Sequence, residues 1–244
     1  MLDKSKRVEG VVPQLCAALK LSADDSALAA EAAPLANADL ATSMVMEFTS
    51  LAGVMGRYYA AASGASEAVA RATFEAVLPR NSGDEVASSP AGVSLALADR
   101  LDSLVGLISV VGAPSATADP FALRRIAYGL VQTAIAADVP LDLREGCALA
   151  AASQPVEVSE EAIDSALTFV ARRLEQLLVD SGNPIESVRA VLAERSERKR
   201  APLRREFAGS GGRNAPNRTP SQNACDRTNP TQNTVHAINV RKQV

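Results

Sequence analysis

Three places in the chain gather side chains that could do chemistry. Asp99 and Asp102 stand three residues apart. At that spacing two carboxylates on a helix can share a divalent cation or receive a basic partner, or simply form a polar helix face. Arg124-Arg125 offers two guanidinium forks of the kind that grip phosphate. The same pair would also suit a solvated helix turn with an ion pair to Asp119 or to a neighbouring helix. Arg57-Tyr58-Tyr59 sets a cation beside two aromatic rings, which suits base stacking and phosphate contact, or else one core and one surface tyrosine. A fourth feature, the basic run over 195–205, could meet RNA or stay solvated. The GSGG string at 209–212 is not a phosphate loop, because no strand precedes it and no Lys-Ser/Thr follows.

What is missing narrows the chemistry further. There is one histidine, His236, so a zinc-protease helix, a Ser-His-Asp triad or a Cys-His pair in the body is excluded. Cys16, Cys147 and Cys225 are scattered with no CxxC spacing, which points to a reducing compartment and away from a zinc site. The net charge of −3 hides an asymmetry: the first 195 residues hold fifteen Lys/Arg against twenty-five Asp/Glu, and the remainder ten against three. An acidic body with a basic tail is not the pattern of a general electrostatic nucleic-acid binder. No apolar run reaches membrane-spanning length and the N-terminus lacks a signal-peptide core, so a soluble, intracellular chain is expected.

Helices must position these groups. Hydrophobic residues make up 47% of the 244 residues but aromatics only 3%, so Ala, Leu and Val supply the apolar surface. That composition favours close helix–helix packing. Val8, Val11, Val12, Leu15 and Leu19 form one stripe, with Pro13 predicting a start or kink inside it. Ser22 is an N-cap candidate for a second helix, and Asn37 and Asp39 for a third. Leu40, Met44, Phe48, Leu51, Met55 and Tyr59 then recur at helical steps. Gly53 and Gly56 inside that stripe would cost about 1 kcal/mol each against Ala. A further helix is expected over 65–78, closed by Pro79. Leu97, Leu101, Leu104 and Ile108 occupy a narrow arc, with Asp99, Asp102 and Gly106 opposite. Asp119-Pro120 predicts a cap with Pro at the first helical position, opening a helix that Pro140 stops. Ser159 caps a stripe of Ile163, Leu167, Val170, Leu174 and Leu178, and Pro184 opens one more helix through Leu192. Beyond about Arg200 periodicity vanishes and disorder is expected. The fold class is all-α, divided as 1–145, a helical extension over 146–200, and the tail 201–244.

Read as strings, several stretches resemble one family. ADLATSMVMEFTSLAGVMGRYYA (38–60), LPRNSGD (78–84), LALADRLDSLVGL (95–107) and DPFALRRIAYGL (119–130) are similar to the β subunit of the bacterial-type, two-subunit glycyl-tRNA synthetase. RRLEQLLVD (172–180) and VRAVLAER (188–195) continue the resemblance, nearest the fused organellar form of plants and algae. The resemblance covers about residues 1–195. It implies an enzyme that joins glycine to tRNA(Gly) using ATP with Mg, whose class II catalytic core belongs to the α subunit or α portion. The β region is implied to bind tRNA and to hold the assembly together, with no cofactor and no membrane contact of its own. The matching part is implied to be a helical domain related to HD phosphohydrolases, followed by the start of the segment leading to an anticodon-binding domain. The histidines of an HD site are absent, which leaves Asp39 and Asp99, with Asp102, as residues of a degenerate metal site and no metal. Arg57, Tyr58, Arg124 and Arg125 are the candidates for tRNA or partner contact. The implied compartment is the chloroplast or mitochondrion for a plant or algal chain, and the cytoplasm for a bacterial one. The tail after Arg195 leaves the family pattern, as a truncated gene model with translated intron or a shifted frame would. Two rival functions remain at this stage: an HD-type metal-dependent phosphohydrolase, and a helical scaffold without RNA contact.

Overall fold

The computed structural model describes residues 2–81, 83–115 and 118–200, with 194–200 by backbone alone. The readings made for the 201–244 tail, His236, residues 201–205 of the basic run and the side chains of its 195–200 part lie outside what is described. Within them the chain is all helix: α1 (Leu2–Ala18), α2 (Ala23–Ala32), α3 (Ser43–Glu47), α4 (Val54–Ala62), α5 (Glu67–Glu75), α6 (Pro90–Val111), α7 (Leu123–Ala136), α8 (Leu143–Ala152), α9 (Glu160–Asp180) and α10 (Ile185–Arg200). Single tight turns of 3₁₀ type at Ala33–Leu35, Ala38–Ala41 and Thr49–Leu51 link α2, α3 and α4. Among the described residues no helix is long and apolar enough to cross a membrane.

The arrangement is built around α6, which packs against α1, α2, α5, α7, α8 and α9. Its start follows from local chemistry. Ser89 accepts a hydrogen bond from the Gly92 amide, and Pro90 sits where a helix needs no N–H. A helix surrounded on all sides must be apolar all round. Accordingly α6 buries Leu95, Leu97, Leu101, Leu104, Val105 and Ile108 together with its small residues Ala91, Ala96 and Ala98. The narrow arc expected from periodicity is therefore too narrow. Asp102, expected on the opposite face, is only 2% exposed because α1 and α8 cover that side. Helices α8 and α9 share one core with α1, α2, α5, α6 and α7, and position 145 falls inside α8.

Three further expectations are corrected. Helix α1 runs unbroken through Pro13, which lies on its exposed side while Val8, Val11, Val12, Leu15 and Cys16 are buried. Packing of that face outweighs the lost backbone bond. The stripe from Leu40 to Tyr59 is not one helix but two short helices and two tight turns, and it is not core: Met46, Phe48 and Tyr58 are 70%, 61% and 65% exposed. Neither Tyr58 nor Tyr59 is a core residue. Pro120 is not the first residue of α7, which begins at Leu123 after Ala122 adopts a left-handed backbone (φ 55°). Asp119 does cap it, from further back than expected: its two carboxylate oxygens accept from the amides of Leu123 (2.8 Å) and Arg124 (2.9 Å).

Candidate functional site

The acids singled out by spacing are turned to internal donors. Lys4 and Arg7 stand one helical turn apart on α1, facing Asp99 and Asp102 one turn apart on α6. Arg7 forks onto Asp102, Nε to Oδ1 at 2.7 Å and Nη2 to Oδ2 at 3.0 Å. The Gln154 amide at the end of α8 donates to Oδ1 at 2.9 Å and to the Asp102 carbonyl at 3.2 Å. The hydrogen bond from Arg7 to Asp102, reinforced by their opposite charges, raises the pKa of the guanidinium despite partial burial. Asp99 Oδ1 accepts from Lys4 Nζ at 2.8 Å and from Asn37 Nδ2 at 2.9 Å. Each carboxylate thus serves as a rivet between α6 and elements distant in sequence.

Asp39 has a different task. It is 2% exposed, and its Oδ2 accepts from the amides of Gly53 (2.7 Å) and Gly56 (3.0 Å). These are donors that the first turn of α4 leaves without an intrahelical partner. The carboxylate also meets the positive end of the α4 dipole. This contact explains why the predicted long helix breaks. Gly53 takes φ +77°, a conformation that side chains disfavour, and a Cβ there would lie 2.3 Å from the Val77 side chain. Asp39, Asp99 and Asp102 therefore point at three separate sets of donors. Among the described residues no group of three or more His, Cys, Asp and Glu side chains is arranged to hold a metal ion.

Spacing did not reveal the residue that joins the family-like strings. Arg100, between the two acids, is 6% exposed and has no carboxylate in ion-pair contact among the described residues. Its guanidinium donates instead to backbone carbonyls, at 2.8 Å to Ala96, 2.6 Å to Leu78 and 3.2 Å to Pro79. It also reaches the Ala76 carbonyl, more loosely, at the end of α5. Burial pushes the pKa of this guanidinium down and the charge of Asp99 opposes the shift. The partial negative charge at the end of α5 stands in for a counter-ion. From the other side Gly129 of α7 presses on it so closely that a Cβ would lie 2.9 Å from Nε. LPRNSGD, LADRLD and the end of DPFALRRIAYGL thus meet at one side chain. A second internal acid, Glu75, is 4% exposed and accepts from Arg71 Nε (2.9 Å), Ser88 Oγ (3.1 Å), the Ser89 amide (3.0 Å) and the Ser89 hydroxyl. Burial works to raise its pKa, but these hydrogen bonds, led by those of Ser89 and Arg71, outweigh it and hold the carboxylate below its usual range.

The cationic contact candidates lie at the surface, Arg57 and Arg124 in two different grooves. Arg57 is exposed on α4 and pairs with Glu67, and Tyr58 beside it is exposed too. The groove that Arg57 shares with Arg71 is also lined by Asp25, Glu67, Glu75 and Glu85. Arg124, at the start of α7, donates to the Ser115 carbonyl and lines a second groove with Arg172 and Arg173 of α9. Arg125, one step and about 100° further round the helix, is exposed and does not line that groove. A signal for Arg7 was available in the matched spacing of Lys4/Arg7 and Asp99/Asp102. One for α8 was available too: Asp142 caps it, accepting from the amides of Arg144 and Glu145, in a D-x-x-E string.

Residues 1–193 match a family described as glycyl-tRNA synthetase beta subunit. A glycine–tRNA ligase of Arabidopsis thaliana, named chloroplastic/mitochondrial 2, is 50% identical over 195 residues, covering 80% of this chain and 18% of that protein. The glycine–tRNA ligase beta subunit of Chromohalobacter salexigens is 42% identical over 194 residues, covering 79% of this chain and 28% of its own length. That of Marinobacter nauticus is 40% identical over 196 residues, with 80% and 28% covered. The chain thus spans less than a third of the length of these relatives. With the match running from α1 into α10, the all-helical body organised around α6 belongs to the glycyl-tRNA synthetase β-subunit family.

Proposed function

We propose that this chain is a framework portion of a glycine–tRNA ligase that contacts tRNA and helps hold the enzyme together, while ATP, Mg and glycine are bound elsewhere in the complete enzyme. One observation supports this reading above others. The acids and the arginine of the family-like strings, Asp39, Asp99, Arg100 and Asp102, all bind the chain to itself, each at a different place, instead of converging on one point where a metal or a nucleophile could sit. Such residues serve a helical frame that presents a surface to its partners. The partners would be tRNA(Gly) and the α subunit, or the α portion in a fused enzyme. The working compartment would be a chloroplast or mitochondrion for a chain of the plant type, and the cytoplasm for a bacterial one.

Two assays test the proposal. The purified chain with glycine, ATP and tRNA(Gly) is expected to form no glycyl-tRNA; turnover above a no-protein control refutes the assignment of the chemistry to another region. A gel shift with tRNA(Gly) at low salt is expected to show a complex. Its absence would leave the helical scaffold without RNA contact, a reading that the excess of acids in the first 195 residues favours. A phosphohydrolase of HD type would instead release phosphate from nucleotides in the presence of divalent metal, and the three separate settings of Asp39, Asp99 and Asp102 argue against it.

A further inference from the structure

We propose that the groove between α7 and α9, rather than the Arg57–Tyr58 surface, is where the chain grips the phosphate backbone of tRNA; this rests on the reading above that the chain meets tRNA. The groove has a volume of about 570 Å³ and is lined by three arginines from two elements, Arg124 from the first turn of α7 and Arg172 and Arg173 from α9. Ser165 and Thr168 add hydroxyls to the same wall. Guanidinium forks beside hydroxyl donors are the set that nucleic-acid backbones receive.

The local charge separates this groove from the other. Of its two acids, Asp164 is already paired with Arg144, which leaves Glu161 alone against three arginines. In the Arg57 groove the count is reversed, two arginines against four acids, and Arg57 itself is engaged by Glu67. A phosphate approaching the second surface would meet net repulsion and would have to displace that partner. Arg124 and Arg173 of the α7–α9 groove are held in place as well. Arg173 lies over the Phe169 ring at 5.6 Å and donates Nη1 to Gln176. Its Nε–H, buried beneath the guanidinium, has no acceptor among the described residues. Arg172 is exposed and ready to follow a backbone. Two of the three arginines come from the RRLEQLLVD string, which spacing had not marked as a contact.

The test is fluorescence anisotropy of labelled tRNA(Gly) titrated with the whole 244-residue chain over a series of KCl concentrations. The Arg124→Ala/Arg172→Ala/Arg173→Ala variant is expected to bind roughly tenfold or more weakly at low salt, and to lower the slope of log affinity against log salt by about 2 to 3. Arg172→Ala alone, at an exposed position that does not threaten folding, is expected to lower the slope by about 1. Arg172→Lys is expected to keep most of the slope, and Arg57→Ala to leave it unchanged. If the chain binds tRNA and the groove variants bind with the wild-type affinity and slope, or if Arg57→Ala produces the loss instead, the groove assignment is wrong and the tRNA reading stands. If the unaltered chain does not bind tRNA, both fall. Displacement of the tRNA by poly-glutamate but not by an unrelated RNA duplex would place an acidic protein in the groove and overturn the proposal.

Discussion

Replacing Arg7 with Met tests the idea that the acid pair of α6 is a rivet and not a ligand set. The Asp102 side chain is 1% exposed and Arg7 covers both of its oxygens. Met keeps much of the apolar stem but leaves a buried carboxylate with one remaining side-chain donor, Gln154. Removing one member of a buried pair costs about 3–5 kcal/mol. Arg7 is itself about a quarter exposed and Gln154 remains, so the lower end, about 3 kcal/mol, is expected at pH 7. For a domain of this size that is a fall in Tm of roughly 6–12 °C, followed by far-ultraviolet circular dichroism. The double variant Arg7→Met/Asp102→Leu removes the stranded charge and is expected to recover most of the loss, a coupling of at least about 2 kcal/mol. The exposed pair offers the contrast: Arg57→Met, facing Glu67, is expected to cost less than about 1 kcal/mol. A fall of less than about 2 °C for Arg7→Met, or a double variant as unstable as the sum of the singles, would refute the reasoning.

Other outcomes follow from the same geometry. Because the folded-state pKa of Glu75 lies below its usual value, its ionised form contributes stability that is present above the unfolded pKa of about 4.3 and lost as pH falls through the lower folded one. Glu75→Gln should therefore destabilise the chain at neutral pH, and the gap from wild type in urea unfolding should shrink in this acid window; a gap that widens there contradicts the sign. Asp39→Ala removes the acceptor for the Gly53 and Gly56 amides and should cost about 1–3 kcal/mol. Hydrogen exchange at the Gly56 amide should accelerate more than at amides of α9, and uniform acceleration would deny a local capping role. Burial pushes the Cys147 thiol up to about 12, so iodoacetamide at mildly alkaline pH should leave it unlabelled in the folded chain and label it on denaturation. Peptide mapping that finds Cys147 alkylated natively as fast as a free thiol would disprove its enclosure.

The sequence by itself determined the class of fold, much of the core and the family. The stripes of α1 and α9 are legible because each helix meets the core with one face: Val8, Val11, Val12, Leu15 and Leu19 are all buried, as are Ile163, Val170, Leu174 and Leu178. Periodicity reports which face is apolar, and there the question has one answer. It also determined the strings that mark the family, although not why they belong together. Tertiary structure alone decided the roles of the polar residues. Asp102 looked outward on a helical wheel, yet its partner arrives from 95 residues earlier in the chain. The stripe from Leu40 to Tyr59 counted as a helix until the carboxylate of Asp39 took the amides of Gly53 and Gly56. Arg100 carried no distinguishing pattern, because its partners are carbonyls that every residue possesses. Side-chain spacing encodes which groups share a face of one helix. Which donor meets which acceptor across helices depends on how those helices dock, and that is a property of the packed chain.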